Sequence, residues 1–387
     1  MPPSVGLGPS VAAPCRGLRC GPSNARRWAR AEDATDDPES ALAASVFTRI
    51  LGGYEALSIY LGDRLGLYTA LADGPARVDQ LAARADVHPR YAREWLEQQA
   101  VAGLVTVQEE EGGERAFSLS PAQRSVLADP SSLVYSAPFA RLLRAAAART
   151  PELLAAYRDG TGVSWDQFGP DARDAQGDAN RPWFEERLAP ALSGVPRLAG
   201  ILTRPDARVL DVGCGHGWSS IALARAYPAA RVEGIDVDAP SIDAARRHAA
   251  GIPGLSFALL AGESLSAGRE ATADIAFVFE ALHDMPDPVA VLRSIRTALR
   301  PGGVLVVMDE AVADAFAADG DEVERIMYGY SLLICLPDSM STPDSVATGT
   351  VMRRSTLEGY ARAAGYTTVS VLPIEDFGAF RFYLLEP

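Results

Sequence analysis

Apolar residues in the first part of the chain recur at helical spacing. An apolar, helix-favouring stretch runs from Leu42 to Leu61, and three further helical segments follow, separated at Pro75 and Pro89. A Gly-Gly turn then separates two short runs of strand-forming residues. Helices followed by a two-stranded ribbon predict a winged helix over residues 41–125. The two predicted strands are Leu104–Val107 and Ala116–Leu119.

From about residue 205, short apolar runs alternate with helical segments, which predicts right-handed crossovers and a parallel sheet. Near the end of the chain, "TTVSVLPI" and "FRFYLLE" are joined by a short loop, so these two strands must pair antiparallel. The predicted fold class is α/β, with a Rossmann-like sheet that has a parallel core and a C-terminal antiparallel hairpin, preceded by the α-rich winged-helix domain. The predicted parallel strands are Ala207–Val212, Ala230–Asp236, Leu255–Ala261, Asp274–Glu280 and Gly303–Asp309. The last helix is predicted to begin at Ser355, in the capping box "STLE".

Two segments do not follow either pattern. Residues 1–40 are rich in Pro, Gly and Ser and have no periodic apolar face, so a disordered tail is predicted there. Residues 126–200 are predicted to form a helical connector that brings several aromatic residues together. These aromatic residues either pack between domains or belong to a flap over an active site. The fourth segment, residues 201–387, is the predicted ligand-binding domain.

Composition and charge limit the class of ligand. The 387 residues include 48% hydrophobic residues, which is enough for two cores, and the formal charge of −14 repels nucleic acid and anionic membranes. Four cysteines form neither a disulfide framework nor a zinc spacing, so we expect a cytoplasmic protein with no metal. No apolar run approaches 18 residues, so no membrane partner is expected.

The charge of the predicted winged helix argues against DNA binding. Residues 41–125 contain eight arginines and eleven acidic residues, and the wing carries Glu109, Glu110, Glu111 and Glu114 against Arg115. A wing that approaches phosphates needs positive charge, because neutralising phosphates supplies most of the non-specific affinity. We therefore expect no nucleic acid partner and predict that this domain forms a homodimer.

The stretch "VLDVGCGHGW", from Val209 to Trp218, predicts a nucleotide-binding turn between a strand and a helix. Asp211 beside the turn would repel a pyrophosphate, but it suits a ligand that carries a sulfonium and an ammonium group. Asp236 ends the next strand, where a carboxylate can bind two ribose hydroxyls, and Glu263 follows the third strand, within reach of an adenine amino group. His216 is predicted to be a spacer within the turn. The predicted cofactor contacts are Asp211, Gly213, Gly215, Gly217, Asp236, Val237, Gly262, Glu263, Phe279 and Glu280.

These motifs resemble those of class I S-adenosylmethionine-dependent methyltransferases. "VLDVGCGHG" looks like their first motif, "VEGIDVD" like their ribose-binding segment, and "ADIAFVFEALHDMPDPVAVLRSIRTALRPGGVLVVMDE" like their fourth and fifth strands. A winged helix before this domain is similar to bacterial small-molecule O-methyltransferases, which form homodimers. The resemblance implies S-adenosyl-L-methionine as cofactor and a small-molecule acceptor, with a hydroxyl group as the expected methylation site.

The resemblance also implies roles for individual residues. His283 in "EALHDM" has the position of the catalytic base, and Glu310, Asp309 or Asp284 is expected to orient it. A neutral imidazole at pH 7 is expected. The alternative role for His283 is a loop contact near the methionine part of the cofactor. Expected substrate contacts are Trp183 and Phe184 in the connector, and Tyr328 and Tyr330 in a helix predicted over 321–336, unless these residues are core. Two other functions remain open: a winged-helix regulator that senses the cofactor, and an N- or C-methyltransferase without a base.

Overall fold

A computed structural model describes residues 37–109 and 113–387 of the chain. The predicted tail up to residue 36, and Glu110 and Glu111 of the wing, lie outside the described residues. Helix α1, Pro38–Arg64, begins four residues before the predicted start, because Asp37 accepts hydrogen bonds from the hydroxyl and N–H of Ser40. The chain divides into two compact units, residues 1–56 and 57–387. Of the first unit, the structure describes residues 37–56, which form the N-terminal part of α1.

The second unit begins with the predicted helices and two-stranded ribbon. Its first helices are α2 (Leu67–Ala72), α3 (Val78–Arg84), α4 (Pro89–Val101) and α5 (Pro121–Leu127). Strands β1 (Thr106–Glu109) and β2 (Arg115–Ser118) pair antiparallel. The predicted start of β1 at Leu104 is wrong by two residues, because Leu104 and Val105 donate backbone hydrogen bonds to Gln99 and so finish α4.

The connector consists of short helices. They are α6 (Ala137–Ala147), α7 (Thr150–Asp159), α8 (Trp165–Phe168), α9 (Pro170–Trp183), α10 (Ala189–Ser193) and α11 (Pro196–Leu202). A π-helical turn, Phe184–Leu188, follows α9 directly. Pro182 lies just before this turn, and its missing N–H explains why regular α-helical bonding is interrupted there.

A seven-stranded sheet forms the centre of the rest of this unit, in the order β5-β4-β3-β6-β7-β9-β8. The first five are parallel, and β9 pairs antiparallel with both β7 and β8, which confirms the predicted sheet. The strands are β3 (Arg208–Val212), β4 (Arg231–Asp236), β5 (Leu255–Leu259), β6 (Ala273–Phe279), β7 (Leu299–Glu310), β8 (Thr368–Val371) and β9 (Phe380–Glu386). The helices are α12 (Trp218–Ala226), α13 (Ala239–His248), α14 (Pro288–Ala298), α15 (Glu322–Tyr330), α16 (Leu336–Met340) and α17 (Arg354–Ala364).

Three predicted boundaries in this region differ from the structure. Strand β7 begins at Leu299 rather than Gly303, and the intervening residues form an irregularity in the pairing with β6. The helix predicted over 321–336 begins at Glu322, and after Tyr330 it continues through a π-helical turn, Ser331–Cys335, directly into α16. Helix α17 begins at Arg354, so Ser355 lies inside its first turn and does not cap it.

Both faces of the parallel strands are buried. Val209, Phe277 and Val306 pack in one core, and Leu210, Val278 and Leu305 pack in the other. Burial on both faces explains why these strands read as continuous apolar runs. Their carboxyl ends meet along one edge of the sheet, where crevices for ligands form in open α/β sheets. Within residues 37–109 and 113–387, no helix combines the length and the apolar character that crossing a membrane requires.

Candidate active site

The glycine turn follows β3 as predicted. Gly213, Gly215 and Gly217 all have positive φ, at 78°, 50° and 79°. A Cβ on Gly213 or Gly217 would lie within 2.7 Å of a neighbouring side-chain carbon, whereas a Cβ on Gly215 would meet nothing within 4 Å. The turn is therefore tightly packed at its two ends and open at Gly215, where a ligand can approach the backbone.

Asp211 lies under the turn and is completely buried. Its Oδ2 accepts hydrogen bonds from the hydroxyls of Ser219 and Ser220 on α12, at 2.6 and 2.5 Å, and its Oδ1 has no partner. Burial is the main reason that the pKa of Asp211 rises to about 6. The bonds to α12 tie the turn to the helix, so this carboxylate supports the turn from within the sheet.

Asp236 ends β4 next to the open part of the turn. Its Oδ2 accepts from the N–H of Gly215 at 2.8 Å, and its Oδ1 accepts from the N–H of Asp238 at 2.8 Å. Each carboxylate oxygen has a second lone pair, so Asp236 keeps the capacity to accept two hydroxyl groups. Burial raises the pKa of Asp236 against the lowering effect of these two N–H groups. The residues present therefore fit a ribose whose hydroxyls donate to this carboxylate.

The other predicted cofactor residues lie at the same sheet edge with different exposure. Val237 is 70% exposed beside Asp236, and Glu263 is exposed in a short 3-10 helix, Gly262–Ser264, that follows β5. The Phe279 side chain packs against Phe184 and belongs to the core, so only its backbone is available at the end of β6. Glu280 comes next, with an unusual left-handed φ of 48°.

Helix α9 runs across these strand ends, and its polar residues were not predicted as site residues. Gln176 Nε2 donates to Glu280 Oε2 at 3.0 Å, and the nearby Asn180 side chain helps to lower the pKa of Glu280. Arg173 binds Asp238, the last residue of the ribose-binding segment. A Cβ on Gly177 would lie 2.7 Å from Nδ1 of His216 in the glycine turn, so only glycine fits there.

His283 lies in a short 3-10 turn, Leu282–Asp284, after β6 and is 2% exposed. Its Nδ1 lies 3.0 Å from Asp309 Oδ1 and 3.3 Å from Glu310 Oε2, both at the end of β7. Its Nε2 lies 3.3 Å from Asp284 Oδ1. The neighbouring order of β6 and β7 brings these groups together. The predicted contact between Glu310 and His283 is present, although Asp309 is closer.

The carboxylates determine the charge of His283. Burial disfavours the imidazolium, but Asp284, Glu310 and Asp309 outweigh burial and raise the pKa of His283 well above its usual value. Burial raises the pKa of Glu310 well above its usual value too, whereas His283 keeps the pKa of Asp309 low. This direction favours the imidazolium over the neutral imidazole that was expected from the sequence. Ligand-type atoms of His283, Asp309 and Glu310 lie within 4.8 Å of one another and could also hold a metal ion.

The predicted substrate residues separate into two groups. Trp183 packs against Phe377, and Phe184 is 6% exposed against Phe279, so both contribute to the sheet core. Tyr330 belongs instead to the cluster around Phe168 and Cys335, and burial raises its pKa to about 12, with smaller contributions from Glu280 and Glu310. Tyr328 accepts a hydrogen bond from Arg353 at 3.2 Å. Of these four residues, Tyr330 is the one whose pKa is raised by Glu280 and by Glu310, and Glu310 lies next to His283.

Comparisons with family models agree with the two parts of the chain. Residues 203–336 match the model described as "Methyltransferase domain", and residues 53–128 match "Rv2258c-like winged HTH domain". A ubiquinone biosynthesis O-methyltransferase from Paraburkholderia phymatum is 32% identical over 182 residues, which are 44% of this chain and 72% of that protein.

A second relative and two solved structures extend this comparison. The protein of the same name from Ralstonia nicotianae is 32% identical over 173 residues, 43% of this chain and 66% of its own length. The mitomycin 7-O-methyltransferase MmcR has a TM-score of 0.66 at 21% identity, with 90% of this chain and 99% of that chain covered. Human N-acetylserotonin methyltransferase in complex with SAM has a TM-score of 0.62 at 18% identity, with 91% and 99% covered. At these identities the structures establish a shared fold.

Proposed function

Because the chain belongs to the class I S-adenosylmethionine-dependent methyltransferase family, with a winged-helix domain before the catalytic fold, we propose that it methylates a small molecule. The acceptor group is a hydroxyl, in an aromatic or polyketide-like compound. The observation that carries this proposal is the position of Asp236 beside the open Gly215, at the carboxyl end of β4. The relatives that share sequence with the chain are O-methyltransferases by name, which favours O-methylation.

Different residues at the sheet edge would bind different parts of the cofactor. Asp236 would hold the ribose hydroxyls, the backbone at Gly215 would border the methionine part, and Val237, Gly262 and Glu263 would border the adenine. When bound, S-adenosylmethionine supplies an electrophilic methyl group on a positively charged sulfur. Glu280 and the carboxylates around His283 lie at this edge of the sheet, and in their ionised form they favour a cation nearby.

Calorimetry with S-adenosylhomocysteine tests the cofactor assignment. We expect Asp236→Ala to weaken binding about ten- to a hundredfold, because hydrogen bonds to a charged group contribute roughly 1.5–3 kcal/mol. Asp243→Asn is the matched control, since Asp243 is an exposed carboxylate on α13, the helix after β4. If Asp236→Ala binds as tightly as the parent, Asp236 is not the ribose ligand. If the parent binds neither S-adenosylhomocysteine nor S-adenosylmethionine, the proposed function is wrong.

His283 acts as the base that accepts the hydroxyl proton from the acceptor. Its Nδ1 donates to Asp309, which fixes the ring, and its Nε2, 3.3 Å from Asp284 Oδ1, is the atom that exchanges a proton with the acceptor. A protonated imidazole cannot accept a proton, so catalysis depends on the fraction of His283 that has lost its Nε2 proton. That fraction increases with pH, and we expect kcat/KM to increase with it above neutrality. Glu310 and Asp309 serve as positioning residues for the ring.

We further propose that the protein is a cytoplasmic homodimer whose winged helix does not bind DNA. On the winged helix, Arg90 pairs with Glu94, and Arg77 lies 3.1 Å from Glu114. Exposed apolar residues run along α1 at Leu42, Val46, Ile50, Tyr54 and Leu61. An apolar stripe of this length favours a protein partner, and a second copy of the chain is the simplest one.

Light scattering after size exclusion tests the dimer. The parent should have twice the mass of the chain, and Ile50→Glu should shift it towards the monomer. Arg49→Glu is the control, because it reverses a charge on the same helix and leaves the apolar stripe intact. A monomeric parent would contradict the proposal. A gel shift at low salt tests the regulator hypothesis, and tight, salt-sensitive DNA binding would support that hypothesis instead.

A further inference from the structure

One buried arginine fastens α9 to the segment that carries the predicted ribose ligand. Arg173 is 8% exposed, and its Nε and Nη2 donate to the two carboxylate oxygens of Asp238 at 2.8 and 2.7 Å. Nη2 also donates to Asp166 at 2.9 Å. Two parallel hydrogen bonds between a guanidinium and a carboxylate fix both distance and orientation, which a lysine at the same place cannot do.

Asp238 is connected directly to Asp236. The Asp238 N–H donates to Asp236 Oδ1 at 2.8 Å, and the Asp238 side chain accepts from the N–H of Ser241 at 3.0 Å, where it caps α13. Arg173 therefore holds the side chain of Asp238, and the backbone N–H of Asp238 orients Asp236. Without the pair with Arg173, the Asp238 carboxylate is free to turn away, and the hydrogen bond from the Asp238 N–H to Asp236 becomes weaker.

The same face of α9 also reaches the other strand ends. Arg173, Gln176 and Gly177 have the spacing i, i+3 and i+4, which places them on one side of the helix. Gln176 binds Glu280 after β6, and Gly177 lies against His216 after β3. One helix thus touches the carboxyl ends of β3, β4 and β6, where the cofactor is proposed to bind.

We propose that Arg173 is a positioning residue for the cofactor, because its pair with Asp238 both supports Asp236 and fastens α9 across the cofactor site. This inference rests on the proposed function. A cofactor bound between the strand ends and α9 leaves only when α9 moves, and that movement breaks the Arg173–Asp238 pair. The pair consequently slows release of the cofactor product, S-adenosylhomocysteine.

Stopped-flow displacement of S-adenosylhomocysteine by excess S-adenosylmethionine tests this inference. We expect Arg173→Gln and Asp238→Asn each to speed release about tenfold or more, as expected for a charged hydrogen-bonded pair. Asparagine still caps a helix, so Asp238→Asn preserves the start of α13. The double variant should release no faster than the faster single variant, because both changes break the same pair. Arg173→Lys keeps the positive charge but cannot form the two parallel hydrogen bonds. Its release rate should therefore lie between those of the parent and Arg173→Gln.

Arg141→Gln is the matched control. Arg141 is 4% exposed and pairs with Asp178 on α9 at 2.8 Å and with Asp63 at 3.0 Å, so it anchors the same helix without touching the ribose-binding segment. This variant should lower the melting temperature of the cofactor-free protein about as much as Arg173→Gln, but it should speed release less, because it leaves the support of Asp236 by Asp238 intact. Equal acceleration by both variants, or no acceleration by Arg173→Gln and Arg173→Lys, would overturn the inference. A parent that fails to bind S-adenosylhomocysteine would overturn the proposed function itself.

Discussion

Removing one carboxylate should lower the pKa of His283. Asp284 Oδ1 lies 3.3 Å from Nε2, and at an effective dielectric constant of about 20 opposite unit charges at this distance attract by about 5 kcal/mol. At 1.36 kcal/mol per unit, this energy is equivalent to between about three and four pKa units. The observed effect should be smaller, because burial raises the pKa of Asp284 and so disfavours its charged form, and because asparagine keeps one oxygen. For Asp284→Asn we expect a decrease of at least about one unit.

Histidine-selective carbon labelling measures this decrease without any substrate. The chain has four histidines, so the Cε1 signals of His88, His216, His248 and His283 can be followed separately across a pH series. Asp284→Asn should move only the titration of His283, and exposed Glu375→Gln controls for the same change in overall charge. The reasoning is refuted if His283 titrates near 6.5 in the parent, or if its midpoint is the same in Asp284→Asn.

Three further predictions concern the base, the turn and the response of stability to pH. His283→Ala should lower kcat by about 10²- to 10⁴-fold, whereas turnover at the parental rate would leave orientation of the acceptor as the whole mechanism. Gly215→Ala places a Cβ on the open side of the turn at a φ of 50°, and calorimetry should show weaker S-adenosylhomocysteine binding, while Gly200→Ala, in a helix with open space around it, should bind normally. Glu280 has a pKa raised to about 7, mainly by burial, so the folded state holds an extra proton and stability should fall as the pH rises from about 4.5 to 7. In thermal unfolding, Glu280→Gln should make the melting temperature depend less on pH in this range. An unchanged pH dependence would show that Glu280 is not the group that titrates.

The sequence was sufficient for the features whose parts lie close together in the chain. The three glycines of the turn occupy alternate positions within five residues, and Asp236 follows at the end of the next strand, so local pattern and strand order placed them correctly. The antiparallel hairpin of β8 and β9 followed from the short loop between them. Ser355 shows the limit of local signals, because a capping-box pattern matched the letters but the helix starts one residue earlier.

The contacts of α9 could not be predicted in the same way. Arg173, Gln176 and Asn180 are polar residues at helical spacing, and such residues look alike in a sequence whether they face solvent or buried carboxylates. Their partners, Asp238 and Glu280, lie at least 65 residues further along the chain. Trp183 and Phe184 were predicted as possible parts of a flap because they are aromatic, yet they pack into the sheet core. The polar face of α9 covers the strand ends instead. The available signal was Gly177, a glycine that costs stability inside a helix and so indicates a close approach.

Glu280 lies between α9 and the carboxylates around His283, and it affects their pKa values. Burial raises the pKa of Glu280 to about 7, and Gln176 on α9, which donates to Glu280, opposes part of this rise. The charge of Glu280 in turn contributes to the raised pKa of Glu310, which contacts the ring of His283. If α9 moved away, water would reach Glu280 and relieve the burial that is the largest cause of its raised pKa, so its ionised form would become more favourable. A proton would then leave the carboxylate cluster as the helix opens and return as it closes. The proposed movement of α9 would therefore also change the charge around the proposed base.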